Sequence, residues 1–245
     1  KKGADSISFT KEIINIDNIQ TGIITVTNTT EQPGSDITII IDQSGSMGES
    51  AALKGEDGHM RENGLSLQDV TNASAIAFLE SLSETDRASV VKYNSNVTVI
   101  SPLSFATSAF KQDMATKIKA IRSGGQTNIW GALRVSLEQY RKNSVTDRKQ
   151  TIILLTDGRP NVCPARGEKY ALNSWYKQHP DQKIDIHTVG FGNSIDSDLL
   201  EDIATIGLGT YNFLSSPDMI GTIFVNLAAN CLSSSCAMPI VDIQL

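Results

Sequence analysis

Short runs of apolar residues recur along most of the chain, and longer stretches with a helical period separate them. Four of these runs are almost free of polar side chains: residues 36–41, 89–91, 151–155 and 184–189. Strands that are apolar on both sides are typical of a parallel sheet covered on both faces. The four runs therefore predict buried strands of one parallel sheet.

The stretches between these runs carry apolar residues every three or four positions, which is the period of an amphipathic helix. They predict helices over residues 67–82, 110–121, 129–140, 196–206 and 216–231. Strands that alternate with helices in this way predict an α/β fold with a doubly wound, mostly parallel sheet flanked by helices. Ligand sites of such folds lie at the carboxyl ends of the strands.

Both ends of the chain depart from this alternation. Residues 7–30 are rich in Ile, Thr and Val and predict short antiparallel strands, and residues 239–245 predict one more strand. We expect these flanks to form a small β element, because both are apolar enough to need a partner and chain ends often lie close together. The chain is thereby divided into an N-terminal β flank (1–34), a main domain (35–233) and a C-terminal strand (234–245) that is compatible with the start of a truncated β domain.

Composition and charge narrow the classes of function. The 245 residues include 21 Lys and Arg against 27 Asp and Glu, and no basic block interrupts this acidic balance, so nucleic acid is not an expected partner. The apolar runs are far shorter than the roughly 20 residues of a membrane span, so no membrane insertion is expected. Three cysteines are too few for a disulfide framework, and Cys231 and Cys236 are compatible with a bridge or with two thiols.

Oxygen-bearing side chains follow three of the predicted elements where a ligand site is expected. Asp42, Ser44 and Ser46 stand at alternate positions directly after the first core strand, Thr127 lies in a glycine-containing loop, and Asp157 follows the strand 151–155. Hydroxyls and carboxylates are hard ligands that suit Mg²⁺, Mn²⁺ or Ca²⁺ better than zinc or copper. The pattern predicts a site for a hard divalent cation.

This pattern resembles the von Willebrand factor type A domain, whose metal-ion-dependent adhesion site combines a D-x-S-x-S motif with a later Thr and Asp. The resemblance extends over about residues 36–233, and it includes Thr156-Asp157-Gly158, Gly190-Phe191-Gly192 and Tyr211-Asn212-Phe213. The layout is similar to inter-alpha-trypsin-inhibitor heavy chains and to proteins that join this domain to RING modules. The resemblance therefore implies one part of a larger multidomain protein.

The resemblance also implies a role for each residue of a complete adhesion site. Ser44 and Ser46 would bind the metal through their hydroxyls, and Thr127 would bind it directly or through a water. Asp42 and Asp157 would mainly hold waters and orient the serines. The expected ion is Mg²⁺, with Mn²⁺ or Ca²⁺ as alternatives. The implied function is metal-dependent protein binding in cell adhesion or complex assembly, completed by an Asp or Glu of a partner protein and without catalysis.

One segment departs from the family pattern. Residues 48–64 form a polar insertion between the metal motif and the first helix. It is expected to shape the mouth of the site and to set which partner fits. The alternative is that Glu49, Glu56 or Asp57 acts as an internal ligand and keeps the site closed until it is displaced.

Two other classes of function remain open from the residues. A metal-assisted phosphoryl hydrolase is disfavoured because Asp42-x-Ser44 lacks a second carboxylate and the three histidines lie in polar connections or in a strand. A structural domain with a vacant metal site is the other alternative. The resemblance slightly favours an extracellular or cell-surface setting over the cytoplasm.

Overall fold

The computed structural model describes residues 7–16, 19–28, 34–51, 53–54, 60–61, 64–143, 148–191 and 195–214, together with Leu227. The chain divides into two compact units, residues 1–33 and 34–245. In the first unit, β1 (Ile7–Ile16) pairs antiparallel with β2 (Ile19–Asn28), and Ile7 lies opposite Asn28. The predicted C-terminal strand, its pairing with the N-terminal flank, and the helix 216–231 apart from Leu227 lie outside the described residues and stay predictions.

A six-stranded sheet forms the centre of the second unit. Its strands lie in the order β10 (Leu208–Leu214), β9 (Ile184–Phe191), β8 (Gln150–Thr156), β3 (Asp36–Asp42), β6 (Arg87–Tyr93) and β7 (Val97–Phe105). All neighbours in it are parallel except β6 and β7, which confirms the mostly parallel, doubly wound α/β architecture. A separate ribbon joins two strands of two residues each. The strands of this ribbon are β4 (Leu53–Lys54) and β5 (Met60–Arg61).

Helices cover both faces of this sheet. Ile37, Ile39 and Ile41 of β3 face one core, which includes side chains of the first two helices, whereas Ile40 faces a second core that includes side chains of the three later helices. Because alternate residues of a strand point to opposite faces, both sets must be apolar. The helices are α1 (Leu67–Ser81), α2 (Ser108–Lys119), α3 (Ile129–Lys142), α4 (Gly167–Gln178) and α5 (Ser197–Ile206). None of the helices in the described ranges is long and apolar enough to cross a bilayer.

Three of the longer elements were not predicted from the sequence. The edge strand β7 buries only Ser101, and β10 at the opposite edge buries only Leu214. Helix α4 buries Glu168, Leu172 and Trp175. The two edge strands bury so few apolar side chains that they leave no period in the sequence, because the period arises from burial.

His187 on β9 makes the stability of the domain sensitive to acid. Burial lowers the pKa of His187, although the charge of Asp185 raises it and that of Lys149 lowers it further. Its Nδ1 accepts a hydrogen bond from the amide of Thr210 at 3.1 Å, so the fold favours the neutral ring. The unfolded chain therefore takes up a proton first, and this contribution to stability is lost as the pH falls below about 6.5.

We expect His187→Gln to reduce this loss of stability. Urea denaturation of both proteins at pH 7.5 and pH 5.5 measures the difference directly. The free energy of unfolding of the wild type should fall more between these pH values than that of the variant. An equal fall in the two proteins would contradict the assignment to His187.

Candidate metal site

The carboxyl ends of two neighbouring strands bring the predicted carboxylates to one edge of the sheet. Asp42 ends β3 and Asp157 follows the last residue of β8, and these strands run parallel with Ile41 beside Leu155. The loop that carries Thr127 is fastened to the same edge. The amide of Gly45 donates to the carbonyl of Gly125 at 3.0 Å, and the amide of Gly124 donates to the carbonyl of Gln43 at 2.7 Å.

The two serine hydroxyls lie side by side, and each serine is bonded to one carboxylate, Ser46 through its hydroxyl and Ser44 through its backbone amide. Ser44 Oγ lies 3.2 Å from Ser46 Oγ, and Ser46 Oγ donates to Asp157 Oδ1 at 3.0 Å. The amide of Ser44 donates to Asp42 Oδ1 at 2.7 Å. Two neighbouring oxygens on an octahedral ion with ligand distances of about 2.1 Å lie about 3.0 Å apart. The spacing of the hydroxyls therefore suits two ligands of one hard cation.

Thr127 and Gly158 border the space next to the Ser46 hydroxyl. A Cβ atom at Gly158 would lie 3.5 Å from Ser46 Oγ and 3.7 Å from Thr127 Oγ1. The position of Thr127 is held by Asn161, whose Oδ1 accepts from the amide of Thr127 at 2.8 Å and whose own amide donates to the carbonyl of Thr127 at 3.1 Å. The structure thus brings together all five residues that the sequence nominated.

Three further residues hold Asp42 in place and were missed from the sequence. Asp42 Oδ2 accepts from Thr156 Oγ1 at 2.6 Å and from the Tyr93 hydroxyl at 3.0 Å, and the carbonyl of Asp42 accepts from Gln68 Nε2 at 3.1 Å. Thr156 and Tyr93 end the two strands that flank β3. Their position at strand ends is the one signal that could have marked them. Because its oxygens are engaged by the protein, Asp42 is placed to orient Ser44.

Burial gives this cluster an unfavourable charge balance. It raises the pKa of Asp42, although hydrogen bonds from Thr156, Ser44 and Tyr93 lower it. Burial also raises the pKa of Asp157 to about 7, and the charges of Asp42 and Glu49 add to this effect. Within the described part of the chain, no ion pair involves Asp42 or Asp157. A divalent cation between these groups would offset the repulsion, so the donor set fits a hard metal ion.

One side of the cluster opens to solvent. Ser46 is half-buried, and Gly45 and Glu49 beside it are exposed. Glu49 follows the short 3-10 helix Gly45–Gly48, and its charge reaches Asp157. Glu56 and Asp57, the other acidic residues proposed for this mouth, lie outside the described residues. An ion bound to the serines would therefore have an accessible face.

The two histidines that the structure describes make their contacts away from this cluster. His187 is bonded to Thr210, and His179 stacks on Trp175 with ring centroids 4.5 Å apart. Neither histidine hydrogen bonds to Ser44 or Ser46. Over the described ranges, no group of three or more His, Cys, Asp or Glu residues could hold a metal ion. The candidate site is thus distinguished by hydroxyl ligands backed by two carboxylates.

Comparison with known proteins identifies relatives for this fold. Residues 36–224 match the family model described as the von Willebrand factor type A domain. Inter-alpha-trypsin inhibitor heavy chain H3 of Mus musculus is 28% identical over 174 residues, which cover 69% of this chain. The match spans only 18% of the length of that protein.

Two solved structures share the architecture. A von Willebrand factor type A protein from Catenulispora acidiphila has a TM-score of 0.66 at 19% identity, covering 85% of this chain and 44% of its own. The second is proximal thread matrix protein 1 from the mussel byssus, described with a zinc-occupied MIDAS motif (the metal-ion-dependent adhesion site). It has a TM-score of 0.58 at 19% identity, and the match covers 80% of this chain and 45% of the mussel protein. At these identities the likeness concerns the fold alone.

Proposed function

Because the chain belongs to the von Willebrand factor type A domain family, we propose that it is a protein-binding module that recognises a partner carboxylate through a divalent cation. The observation that carries the proposal is the pair of serine hydroxyls 3.2 Å apart, backed by two buried carboxylates of raised pKa. We place the cation at Ser44, Ser46 and Thr127. Asp42 and Asp157 would orient the serines and neutralise part of the ionic charge.

The proposed ion is Mg²⁺, with Mn²⁺ and Ca²⁺ as alternatives of the same hard class. The zinc named for the mussel protein is a property of that relative, and it supports only a divalent ion at the corresponding site. When bound, the ion would supply an electrophilic position with an open face.

The ligand set is the reason to expect a carboxylate at that open face. Hydroxyl ligands are neutral, so an ion held directly by them retains more positive charge than one surrounded by carboxylates. An incoming Asp or Glu gains a direct metal bond, whereas a neutral or basic side chain gains far less. We propose binding without catalysis, because neither His179 nor His187 is placed to activate a serine as a nucleophile.

The segment 48–64 is proposed to select among carboxylate partners. Glu49 lies exposed at the mouth, and loops on a rigid α/β scaffold commonly carry specificity. Its negative charge would disfavour partners with further acidic groups at that position. The alternative of an internal ligand from this segment applies equally to Glu49, since its charge reaches Asp157.

An array of octapeptides, each made as a pair with Glu or Gln at its centre, tests the proposal. We expect the protein in MgCl₂ to bind selected Glu members at least about ten-fold more than their Gln partners, and EDTA to abolish this difference. Asp157→Ala should also abolish it, whereas Asp113→Ala on the surface of α2 should not. Carboxylate binding that persists unchanged in EDTA would overturn the proposed function.

A further inference from the structure

A groove of about 480 Å³ runs between α3 and α4 on the face of the sheet opposite α1 and α2. We call it the α3–α4 groove, and its described lining includes Trp130, Arg134 and Glu138 from α3 and Arg166, Tyr170 and Trp175 from the α4 side. Its volume lies in the range of ligand-binding clefts. Trp, Tyr and Arg are also the residues that contribute most to binding at protein interfaces.

One end of the α3–α4 groove is connected to the loops that carry Thr127 and Asp157 of the candidate metal site. Trp130 is three residues after Thr127, and three residues of chain span at most about 11 Å. The other wall begins in the loop after Asp157, where the amides of Asn161 and Val162 donate to the carbonyl of Thr127. One bound chain could therefore reach from the metal site into the groove.

The groove presents two arginine side chains whose charge is not paired with any acidic residue in the described part of the chain. Arg134 and Arg166 are exposed, and neither takes part in an ion pair with any residue that the structure describes. Arg166 instead lies over the ring of Tyr170, 3.9 Å from its centroid. The acidic member of the lining, Glu138, is already bonded to Arg141 at 2.7 Å and to the Trp175 indole at 3.2 Å.

We propose that the α3–α4 groove binds an acidic, extended peptide segment of the same partner whose carboxylate completes the metal site. Glu138 lies eight positions after Trp130 in α3, a length of about 12 Å. That length accommodates three to four residues of extended chain. Acidic side chains of the segment would pair with Arg134 and Arg166, and its apolar side chains would lie against the aromatic rings. The link to the metal rests on the proposed function, but the groove itself does not.

The two tryptophans of the chain give a direct readout, because both line this groove. The probe is acetyl-Glu-Glu-Leu-Glu-amide, with acetyl-Gln-Gln-Leu-Gln-amide as its neutral isostere, titrated in EDTA while tryptophan fluorescence is followed. We expect a saturable change with the acidic peptide and about five-fold weaker binding of the neutral one, which corresponds to two exposed ion pairs.

Charge reversal locates the binding. Arg134→Glu and Arg166→Glu should each weaken binding of the acidic peptide by about ten-fold, because each replaces an attraction by a repulsion. Lys119→Glu makes the same change in net charge on exposed α2, across the sheet, and should leave the titration unchanged. Equal binding of the two peptides, or no effect of either arginine substitution, would overturn the groove as an acidic-peptide site.

A longer peptide separates this inference from the proposed function. Acetyl-Glu-Gly-Gly-Glu-Glu-Leu-Glu-amide adds one carboxylate for the metal, and MgCl₂ should strengthen its binding to wild type but not to Asp157→Ala. In EDTA, Asp157→Ala should bind the short acidic peptide with the same affinity as the wild type. A result in which the short peptide binds as expected while MgCl₂ leaves the affinity for the longer peptide unchanged would support the groove as a binding site and refute its link to the metal site.

Discussion

Asp157→Ala is expected to weaken Mg²⁺ binding by about 10- to 100-fold, the usual effect of removing a group that orients a metal ligand. The carboxylate accepts the Ser46 hydroxyl at 3.0 Å, so its loss frees that hydroxyl to turn away from the ion. It also removes one of the two negative charges that would balance the cation. Isothermal titration calorimetry with MgCl₂ measures the difference directly.

The stability of the metal-free variant shows whether the fold survives. The fold disfavours ionised Asp157, because its pKa is raised to about 7 by burial and by the charge of Asp42. This penalty grows as the pH rises above the unfolded value of about 3.9 and is complete above about pH 7. In EDTA at pH 8 the variant should therefore melt no lower than the wild type. Equal Mg²⁺ affinity in a folded Asp157→Ala protein would refute the site.

Asp36→Ala is expected to lower the free energy of unfolding by about 3–5 kcal/mol, because it leaves two cations without their shared partner. The Asp36 side chain is fully buried at the start of β3. Its carboxylate accepts from Arg87 Nε at 2.8 Å and from Arg148 Nε at 2.6 Å. The guanidinium of Arg148 also donates to the carbonyls of Ser35 and Thr85, so it cannot move to water without breaking those bonds.

Urea denaturation of Asp36→Ala and Asp113→Ala provides a matched comparison. Asp113 forms an exposed pair with Lys117 one helical turn away, and its loss should cost at most about 0.5 kcal/mol. A loss below about 1 kcal/mol for Asp36→Ala would show that the buried arginines find other partners. Asp36 and Asp42 lie at opposite ends of β3. The Mg²⁺ affinity of the folded variant should therefore equal that of the wild type.

The buried strands were predictable because burial on both faces requires a run of apolar residues that can be recognised in the sequence. Residues 151–155 were predicted as a strand, and the structure extends that strand by one residue at each end, with every side chain of β8 buried. The helices that cover the sheet were predictable for the same reason, except for α4. An element at the surface, such as the edge strand β7, has no such apolar pattern.

The candidate site was predictable in its residues but not in its support. Asp42, Ser44 and Ser46 are close in the sequence, and Thr127 and Asp157 were assigned by strand ends and by family resemblance. The hydrogen bonds from Tyr93 and Thr156 to Asp42 join residues 51 and 114 positions apart. No spacing rule predicts contacts over such separations.

The sequence alone determined the four buried strands, the helices α1, α2, α3 and α5, the two apolar faces of the sheet and the end of the strands at which the candidate oxygen ligands stand, because each of these follows from the spacing of neighbouring residues. Tertiary structure alone decided which polar groups meet. Asp36 was predicted only as the first residue of an apolar strand, yet it joins Arg87 and Arg148 from two other parts of the chain. The charges of Arg134 and Arg166 likewise acquire a shared groove only when α3 and α4 lie side by side. Charge and hydrogen bonding act through space, and only the folded chain sets those distances.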